Sequence, residues 1–478
     1  MNPLFLVSFF AYISILITIG YIIYKKQKSS TEFIVGNRSI NYWVTAIATH
    51  ATDMSTWLFM AFPAYVFSGG IFECWNAIGL IVFMYLSWQF IAKKLRISTE
   101  KYNCETLSSY FEQRFNDKTG TIRIVSTVVA LFFFTLYISA GIVGLGRALS
   151  ATFEFSYLTG ITFGTLTVAL YTVLGGFVAV AWNDFLQGLF VLIVIVGVPI
   201  YALFSFGGFS SITIAAQTKG ISLSLFPDFS AKTFFAIFVA AFGWGLGYFG
   251  QPHILINFMG IKNPQNINKA KRIGIAWQII AMTCATLIGL IGIAFFKTGL
   301  PNNELVFINL VKNISTPLFA GFILCAILAA AISTMDSQIL VSASMLSEDI
   351  YKKVFNKKIS SKKQLHVSRI AGIGITIISF VMAINNNETI WKLVQYAWHG
   401  LGSSFGPLVI LSLYSKTVNK FGALAGIISG SAITLIWKHL PTSIPDAPII
   451  PGFIISFLSI VVVSWLTRRL DRSHFPLG

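Results

Sequence analysis

Long apolar runs separated by short polar gaps dominate the pattern of the chain. A helix needs about 20 apolar residues to cross a bilayer, and thirteen runs are of that length. They lie at 5–23, 42–67, 71–92, 123–150, 157–180, 185–205, 233–258, 273–296, 316–343, 367–384, 390–414, 420–438 and 448–467. The pattern predicts an all-α polytopic membrane protein with about thirteen transmembrane helices.

The second run contains an acidic residue near its middle. Within Trp43–Phe67 the chain reads His50-Ala-Thr-Asp-Met-Ser-Thr56, so the Asp53 carboxylate is predicted at membrane depth. Burying such a group costs at least about 2.5–3.5 kcal/mol on insertion scales. A helix that only anchors the chain in lipid gains nothing from a buried carboxylate that offsets this cost. We therefore expect a polar site at mid-membrane, with a carboxylate satisfied by helix packing as the alternative.

Composition and charge indicate a polytopic membrane protein and argue against a nucleic-acid binder. The chain is 55% hydrophobic and 11% charged, with a mean hydropathy of +0.75, as polytopic membrane proteins are. The net charge of +17 resides in the gaps between apolar runs. The four cysteines are scattered and predict neither a disulfide framework nor a metal site. No nucleotide, serine-hydrolase or zinc-protease motif is present.

The distribution of basic residues predicts the orientation in the membrane. Lysine and arginine are enriched in cytoplasmic loops. With the N-terminus outside, the odd-numbered loops and the C-terminus are cytoplasmic and hold nearly all basic residues. Those elsewhere are Arg147, Lys219, Lys232, Lys297, Lys312, Lys392 and Lys438. We expect a bacterial inner membrane, and we expect the polar insert 93–123 to include a short amphipathic helix on the membrane face.

The ninth run contains a cluster of hydroxyl and carboxylate groups. In the stretch from Cys325 to Gln338, three alanines allow a neighbouring helix to approach closely. Ser333, Thr334, Asp336 and Ser337 follow within two turns. Clustered oxygens suit a hard monovalent cation, and an unwound Thr52–Thr56 segment would supply further carbonyls. The alternative is a set of ordinary interhelical hydrogen bonds.

The seventh run carries glycines and a proline where a continuous helix is expected. Phe242-Gly-Trp-Gly-Leu-Gly-Tyr-Phe-Gly-Gln-Pro-His253 predicts a break in that helix. Trp244 and Tyr248 are four residues apart and would share one helix face. Aromatic walls beside exposed backbone suit a small zwitterion, whereas an interfacial aromatic belt is the alternative. Runs two to six and seven to eleven each begin with an interrupted segment, which points to two inverted repeats with a midplane site.

Three other polar residues lie within the runs. Asp184 begins a run, so a helix N-terminal cap is as good an interpretation as a functional role. Arg147 is expected to extend toward the outer interface. His399 fits a buried histidine of the helix bundle better than a proton relay.

Seven motifs resemble those of the sodium:solute symporter family, and the resemblance covers nearly the whole chain. They are Phe33-Ile-Val-Gly-Asn-Arg38, Thr52-Asp-Met-Ser-Thr-Trp57, Trp75-Asn-Ala-Ile-Gly79, Thr172-Val-Leu-Gly-Gly-Phe177, Trp182-Asn-Asp-Phe-Leu-Gln-Gly188, Gly247-Tyr-Phe-Gly-Gln-Pro-His253 and Ala326-Ile-Leu-Ala-Ala-Ala-Ile-Ser-Thr334. The resemblance implies a single transmembrane domain over 1–478 with a leucine-transporter-type 5+5 inverted repeat. The repeats would cover 42–206 and 233–415, after an extra helix and loop at 1–41 and before two C-terminal helices at 416–478.

The resemblance also implies function and site residues. It implies sodium-coupled import of a small organic solute, with L-proline expected, sodium as the coupling ion, and neither cofactor nor obligatory protein partner. By motif position, the implied sodium ligands are Ala51, Met54, Ala330, Ser333 and Thr334. A second cation site would use Asp184, Asp336 and Ser337 with Ser333, and Asp53 would serve coupling. Solute contacts would be Trp57, Tyr137, Trp244, Tyr248 and Pro252.

Some positions depart from the pattern expected for proline. Thr56 replaces a usual glycine, Asp336 a small polar residue, and His399 and Ser403 smaller residues. We therefore include Thr56, His399 and Ser403 among the candidate solute contacts. Another amino acid or polar solute stays open as substrate, and proton coupling through Asp336 stays open as mechanism. A transporter-like sensor or a channel is a further alternative of a different functional class.

Overall fold

The computed structural model describes residues 3–24, 30–386, 388–437, 439–440 and 446–468, and helices account for its regular structure apart from one isolated bridge between Ile40 and Ile261. The predicted basic residues Lys25, Lys26, Lys28, Lys438, Arg469 and Arg472 lie outside the described residues. The α-helices, in chain order, are α1 (Pro3–Tyr24), α2 (Ser30–Val35), α3 (Tyr42–Asp53), α4 (Ala61–Gly69), α5 (Cys74–Leu86), α6 (Lys93–Lys101), α7 (Leu107–Arg114), α8 (Thr121–Phe153), α9 (Tyr157–Ser205), α10 (Gly208–Thr218), α11 (Ala231–Gly245), α12 (Pro252–Gly260), α13 (Ile267–Phe295), α14 (Val306–Ile314), α15 (Pro317–Ser344), α16 (Ser361–Ala383), α17 (Ile390–Tyr414), α18 (Lys420–Trp437) and α19 (Ile449–Leu466).

Every predicted membrane run coincides with helix. Nine helical stretches in the described residues are long and apolar enough to cross a bilayer. The other predicted runs lie on α1, on α3 and α4, on the first part of α9, and on α17. The prediction of an all-α membrane protein therefore agrees with the helices observed.

Both predicted helix interruptions are confirmed. Helix α3 ends at Asp53, the chain is extended at Ser55 (φ −82°, ψ −159°), and α4 begins only at Ala61. Likewise α11 ends at Gly245, a short 3₁₀ turn follows, and α12 begins with Pro252 as its first residue. Proline suits that first position because the amide hydrogen it lacks would have no partner in the helix. Each interruption ends the ladder of helical backbone hydrogen bonds inside the bundle.

The break between the fifth and sixth runs lies earlier than predicted. The sequence pattern places it near 181–184, whereas α9 is interrupted at Gly176, where φ is +58°. Glycine has no Cβ and adopts this conformation without strain. Asp184 therefore lies inside a continuous helical segment, and the interpretation of Asp184 as an N-terminal cap is wrong.

The polar insert 93–123 packs against the rest of the protein, and its position on the membrane face stays a prediction. Helix α6 continues α5 through a π-helical segment, Ser87–Ala92. Most of α7 is buried, and a capping box between Thr106 and Ser109 begins it. The buried Arg123 holds this insert in place through ion pairs with three carboxylates, at 2.6–3.1 Å, from Glu112, Glu348 and Asp349. These ion pairs explain why the insert folds inward.

Arg147 also finds a partner within the protein. Its guanidinium pairs with Glu304 at 3.1 Å and donates to the Glu388 carbonyl at 2.7 Å. The other Glu304 oxygen accepts the Ile390 amide at the start of α17, at 2.9 Å. These bonds link α8 to the loop before α14 and to the start of α17, and the extension of Arg147 toward the outer interface stays a prediction.

The interruption after α11 packs closely against α17. A Cβ added at Gly250 would lie 2.5 Å from the Gly406 nitrogen and 2.9 Å from the Leu401 carbonyl oxygen. These atoms are backbone and cannot rotate away. Glycine at position 250 is therefore required for the two helices to approach.

We expect Gly250→Ala to destabilise the protein by about 1–3 kcal/mol, the usual cost of overpacking a core. The matched control is Gly374→Ala on α16, because a Cβ there meets nothing within 4 Å. Thermal melting of the two purified variants tests this. Equal melting temperatures would contradict the close approach at Gly250.

Candidate functional site

The end of α3 meets the middle of α15 through four oxygens. The Ser333 hydroxyl donates to the Ala51 carbonyl at 2.9 Å and to the Ala330 carbonyl at 3.0 Å. The Thr334 hydroxyl donates to the same Ala330 carbonyl at 3.2 Å. All four residues are buried. The structure thus brings together four of the five predicted sodium ligands.

Met54, the fifth predicted ligand, lies in the unwound segment directly after α3. Its backbone has left the helical conformation (φ −89°, ψ 84°), and its amide donates to the His50 carbonyl at 3.1 Å. The residue is fully buried. Carbonyls of such a segment have no helical donors and are available to a cation.

A second polar cluster lies one helical turn away. One oxygen of Asp184 accepts hydrogen bonds from the hydroxyls of Thr52, at 3.0 Å, and Ser337, at 3.2 Å. These two hydroxyls are 3.2 Å apart. The prediction missed Thr52, although its hydroxyl directly precedes Asp53 and was a visible signal. The cluster joins α3, α9 and α15.

The second cluster contains unpaired carboxylate oxygens. Among the described residues, neither oxygen of Asp336 and only one oxygen of Asp184 has a hydrogen-bond partner. Both residues are fully buried. Two carboxylates close together in the bilayer repel each other when both are ionised, so a cation or a proton would stabilise the pair. Nowhere in the described chain could three or more histidine, cysteine or acidic side chains hold a metal ion together.

Asp53 points toward the other interrupted helix. The Tyr248 hydroxyl donates to the Asp53 carboxylate through a short hydrogen bond. The Gln278 amide donates to the Tyr248 oxygen at 3.0 Å. The indole of Trp57 donates to the Asp53 carbonyl at 3.1 Å. Sequence reasoning missed Gln278 because it lies in an ordinary apolar run without a break.

Aromatic rings surround this junction. Trp57 stacks on Trp244 with ring centroids 6.2 Å apart, and Trp244 contacts Trp391 at 4.5 Å. Trp398 stands edge-on to Tyr248 at 5.1 Å. Because Trp244 and Tyr248 are buried, the interpretation of this pair as an interfacial belt is wrong. Trp391 and Trp398 were not predicted, since only the bundle packing brings α17 here.

Tyr137 and Pro252 flank the same region. The Tyr137 hydroxyl is buried and has no hydrogen-bond partner among the described residues. Its ring stands edge-on to His253, which follows Pro252 at the start of α12, at 5.7 Å. A buried hydroxyl without a partner is free to bind a ligand.

The three departures that were added as candidate solute contacts fall in different places. Thr56 packs against Gly144 of α8. His399 lies edge-on to Trp244 at 6.2 Å and also lines a cavity of about 540 Å³ between α8, α16, α17 and α18. Ser403 faces Gly452 of α19, so the structure does not bring it together with the other candidate solute contacts.

Known proteins resemble this chain over nearly its full length. The model of the sodium:solute symporter family matches residues 33–430. The high-affinity proline transporter PutP of Bacillus subtilis is 40% identical, covering 96% of this chain and 97% of that protein. The sodium/proline symporter of Escherichia coli is 39% identical, covering 97% and 93%.

Two solved structures resemble the fold. A Na⁺-coupled sialic acid symporter in a substrate-bound outward-open state has a TM-score of 0.82 at 20% identity and covers 98% of each chain. Mhp1, a nucleobase-cation-symport-1 family transporter in a closed conformation, has a TM-score of 0.56 at 14% identity, covering 95% of this chain and 97% of that one. The predicted leucine-transporter-type 5+5 fold is confirmed.

Proposed function

Because the chain belongs to the sodium:solute symporter family, we propose that it is a sodium-coupled secondary active symporter that imports L-proline by alternating access. Relatives named as proline transporters, at 40% and 39% identity over almost the whole chain, support proline as the solute. The protein is an integral membrane transporter and not an enzyme.

The observation that carries the proposal is the convergence of oxygens at the α3 break. Sodium would bind the carbonyls of Ala51, Met54 and Ala330 and the hydroxyls of Ser333 and Thr334. Ser333 already lies within hydrogen-bond distance of two of these carbonyls. A bound cation would replace those hydrogen bonds and hold the end of α3 against α15. Since Asp53 and Trp57 follow directly, this ordering would prepare the solute site.

The solute site is proposed at the aromatic junction. Trp57, Trp244 and Tyr248 offer faces and edges to an apolar ring, as a pyrrolidine requires. Tyr137 adds a hydroxyl without a partner among the described residues, and the dipole of the helix that Pro252 begins favours a carboxylate at its N-terminus. Thr56 and His399 would adjust which solute the site prefers. Because these two residues depart from the proline pattern, another amino acid or polar solute is the second candidate.

The Asp184, Asp336 and Ser337 cluster is proposed as a second cation site. Its unpaired carboxylate oxygens support this role. Ser333 lies one turn from Ser337 on α15, so the two sites would share that helix. Proton coupling through Asp336 is the alternative. In that case a proton gradient, and not only a sodium gradient, would drive uptake.

We expect Asp336→Asn to make the sodium dependence of uptake less steep, because the variant removes a charge that a second cation neutralises. Asp184→Asn should act in the same direction. Initial uptake rates across a sodium titration in proteoliposomes measure the steepness. Uptake that persists without sodium and collapses with an uncoupler would instead indicate proton coupling. Unchanged ion dependence in both variants would remove the cluster from the mechanism.

The orientation is also proposed. Placing the N-terminus outside and the C-terminus in the cytoplasm of a bacterial inner membrane puts most basic residues inside. The boundaries of the repeats, 42–206 and 233–415, stay a prediction. A channel or sensor is disfavoured because two interrupted helices that meet at a buried site are typical of alternating-access transporters.

Radiolabelled proline uptake in proteoliposomes tests the function. Purified protein would face an inward sodium gradient, an inward proton gradient or neither, with unlabelled amino acids and polar solutes as competitors. We expect sodium to drive accumulation that only proline and close analogues inhibit. Sodium-driven uptake of a different solute would overturn the substrate, and uptake indifferent to both gradients would overturn symport.

A further inference from the structure

A buried glutamine completes the hydrogen-bonded chain at the Asp53 carboxylate. Gln278 lies on α13 and is fully buried. We propose that Gln278 is a positioning residue of the symporter, which directs the Tyr248 hydroxyl onto Asp53. This inference rests on the proposed sodium-coupled uptake and adds a residue that the sodium and solute sites do not include.

The direction of the two hydrogen bonds supports this role. A tyrosine hydroxyl has one proton to donate and lone pairs that accept. Because the Gln278 amide donates to the Tyr248 oxygen at 3.0 Å, the hydroxyl proton is free to point at Asp53. Asp53 then accepts a hydrogen bond as a carboxylate. Without the amide, the hydroxyl can rotate toward other acceptors and stabilise the charge on Asp53 less well.

The cost of burying the amide also argues for a role beyond packing. Among the described residues, the Gln278 carbonyl oxygen is buried without a hydrogen-bond partner. An unpaired buried polar atom lowers the stability of the folded protein. A leucine has a similar volume and would avoid that cost. The glutamine is thus a poor choice for stability alone, and its hydrogen bond with Tyr248 is the benefit that offsets the cost.

Gln278 also connects the two interrupted helices to a continuous helix. Asp53 ends α3, Tyr248 lies in the turn between α11 and α12, and Gln278 lies within the continuous helix α13. The two hydrogen bonds therefore fix both interrupted helices to one uninterrupted neighbour. Loss of the amide should weaken solute binding and its dependence on sodium together.

A double-mutant cycle on the full-length purified protein tests the proposal. Gln278→Leu, Tyr248→Phe and the double variant would be compared with wild type in equilibrium binding of labelled proline across a sodium titration. A buried hydrogen bond to a group beside a charge is worth about 1.5 kcal/mol, so Gln278→Leu should weaken proline binding roughly tenfold. Because Gln278 acts through the Tyr248 hydroxyl, the double variant should bind no more weakly than Tyr248→Phe alone.

A matched control separates positioning from stability. Gln187→Leu removes another buried glutamine-to-tyrosine hydrogen bond, the 3.1 Å contact with Tyr12. It should lower the melting temperature about as much as Gln278→Leu does, while keeping wild-type proline affinity at saturating sodium. If Tyr248→Phe binds no measurable proline, the double-mutant cycle cannot be evaluated. The proline affinities of Gln278→Leu and Gln187→Leu then decide whether Gln278 has a positioning role.

The two failures are distinguishable. If wild-type protein binds no proline in sodium, the proposed function falls. If wild-type protein binds proline and Gln278→Leu binds it equally well, only the role of Gln278 is overturned. Effects of Gln278→Leu and Tyr248→Phe that multiply in the double variant would also overturn it, because they would show that Gln278 acts independently of the hydroxyl.

Discussion

Ser333→Ala is expected to reduce the sodium affinity of the transporter roughly 10- to 100-fold. The hydroxyl lies within 3.0 Å of the carbonyls of Ala51 and Ala330, and alanine removes it without adding bulk. A contact between a polar group and a charge is worth about 1.5–3 kcal/mol, which converts to that range. Thr334→Ala should act in the same direction. Proline uptake at increasing sodium, at constant ionic strength, measures the effect.

Ser342→Ala is the matched control for this prediction. Ser342 is buried on the same helix, and its hydroxyl donates to the Gln338 carbonyl of its own helix at 2.7 Å. Its removal should leave sodium affinity unchanged. If Ser333→Ala and Ser342→Ala show the same sodium dependence, the oxygens at the α3 break do not form the coupling site.

Asp53→Asn should lower sodium-driven uptake at least tenfold. Asparagine keeps the shape and can still accept a hydrogen bond from Tyr248, so the variant isolates the negative charge. That charge lies between the proposed sodium ligands Ala51 and Met54 and the aromatic solute site. Hydrogen bonds to charged groups are worth about 1.5–3 kcal/mol, more than neutral ones. The variant should therefore lose coupling while it stays folded.

Sodium-dependent proline binding by purified Asp53→Asn, with a melting curve for folding, provides the measurement. Asp228→Asn is the matched control, because it removes a carboxylate that is not part of the candidate site. Asp228 accepts hydrogen bonds from the Ser230 amide and the Thr233 hydroxyl in an exposed loop. This control should transport as wild type does. Wild-type proline binding and uptake in Asp53→Asn would show that the buried charge serves packing alone.

The hydrophobic pattern determined the helical architecture by itself. Each spanning helix must be apolar over a fixed length because lipid offers its backbone no hydrogen bonds. For the same reason, a carboxylate inside such a run, or glycines clustered with a proline, predicted a site or a break. Asp53 and the Gly247–Pro252 segment therefore identify both interrupted helices from the order of the amino acids alone.

The exact break in α9 and the environment of the polar insert depended on packing. Glycine is compatible with several conformations, so the pattern could not choose Gly176 over the polar residues after it. The insert around α7 looked like a surface segment by composition. Its acidic Glu112 is buried because Arg123 and Lys353, which lie on other helical segments, both pair with it.

Some residues of the candidate site were identified from the sequence and others only from the tertiary structure. Sequence motifs supplied Ser333, Thr334, Asp184 and Tyr248, since their residue types are costly inside a membrane and need a purpose. Only the tertiary structure added Thr52 and Gln278 and placed Ser403 against α19. A hydrogen bond depends on where the partner helix brings its side chain. Sequence therefore determined that the membrane runs are helical and that the second and seventh runs are interrupted, and the packing of the helices decided which polar atoms meet.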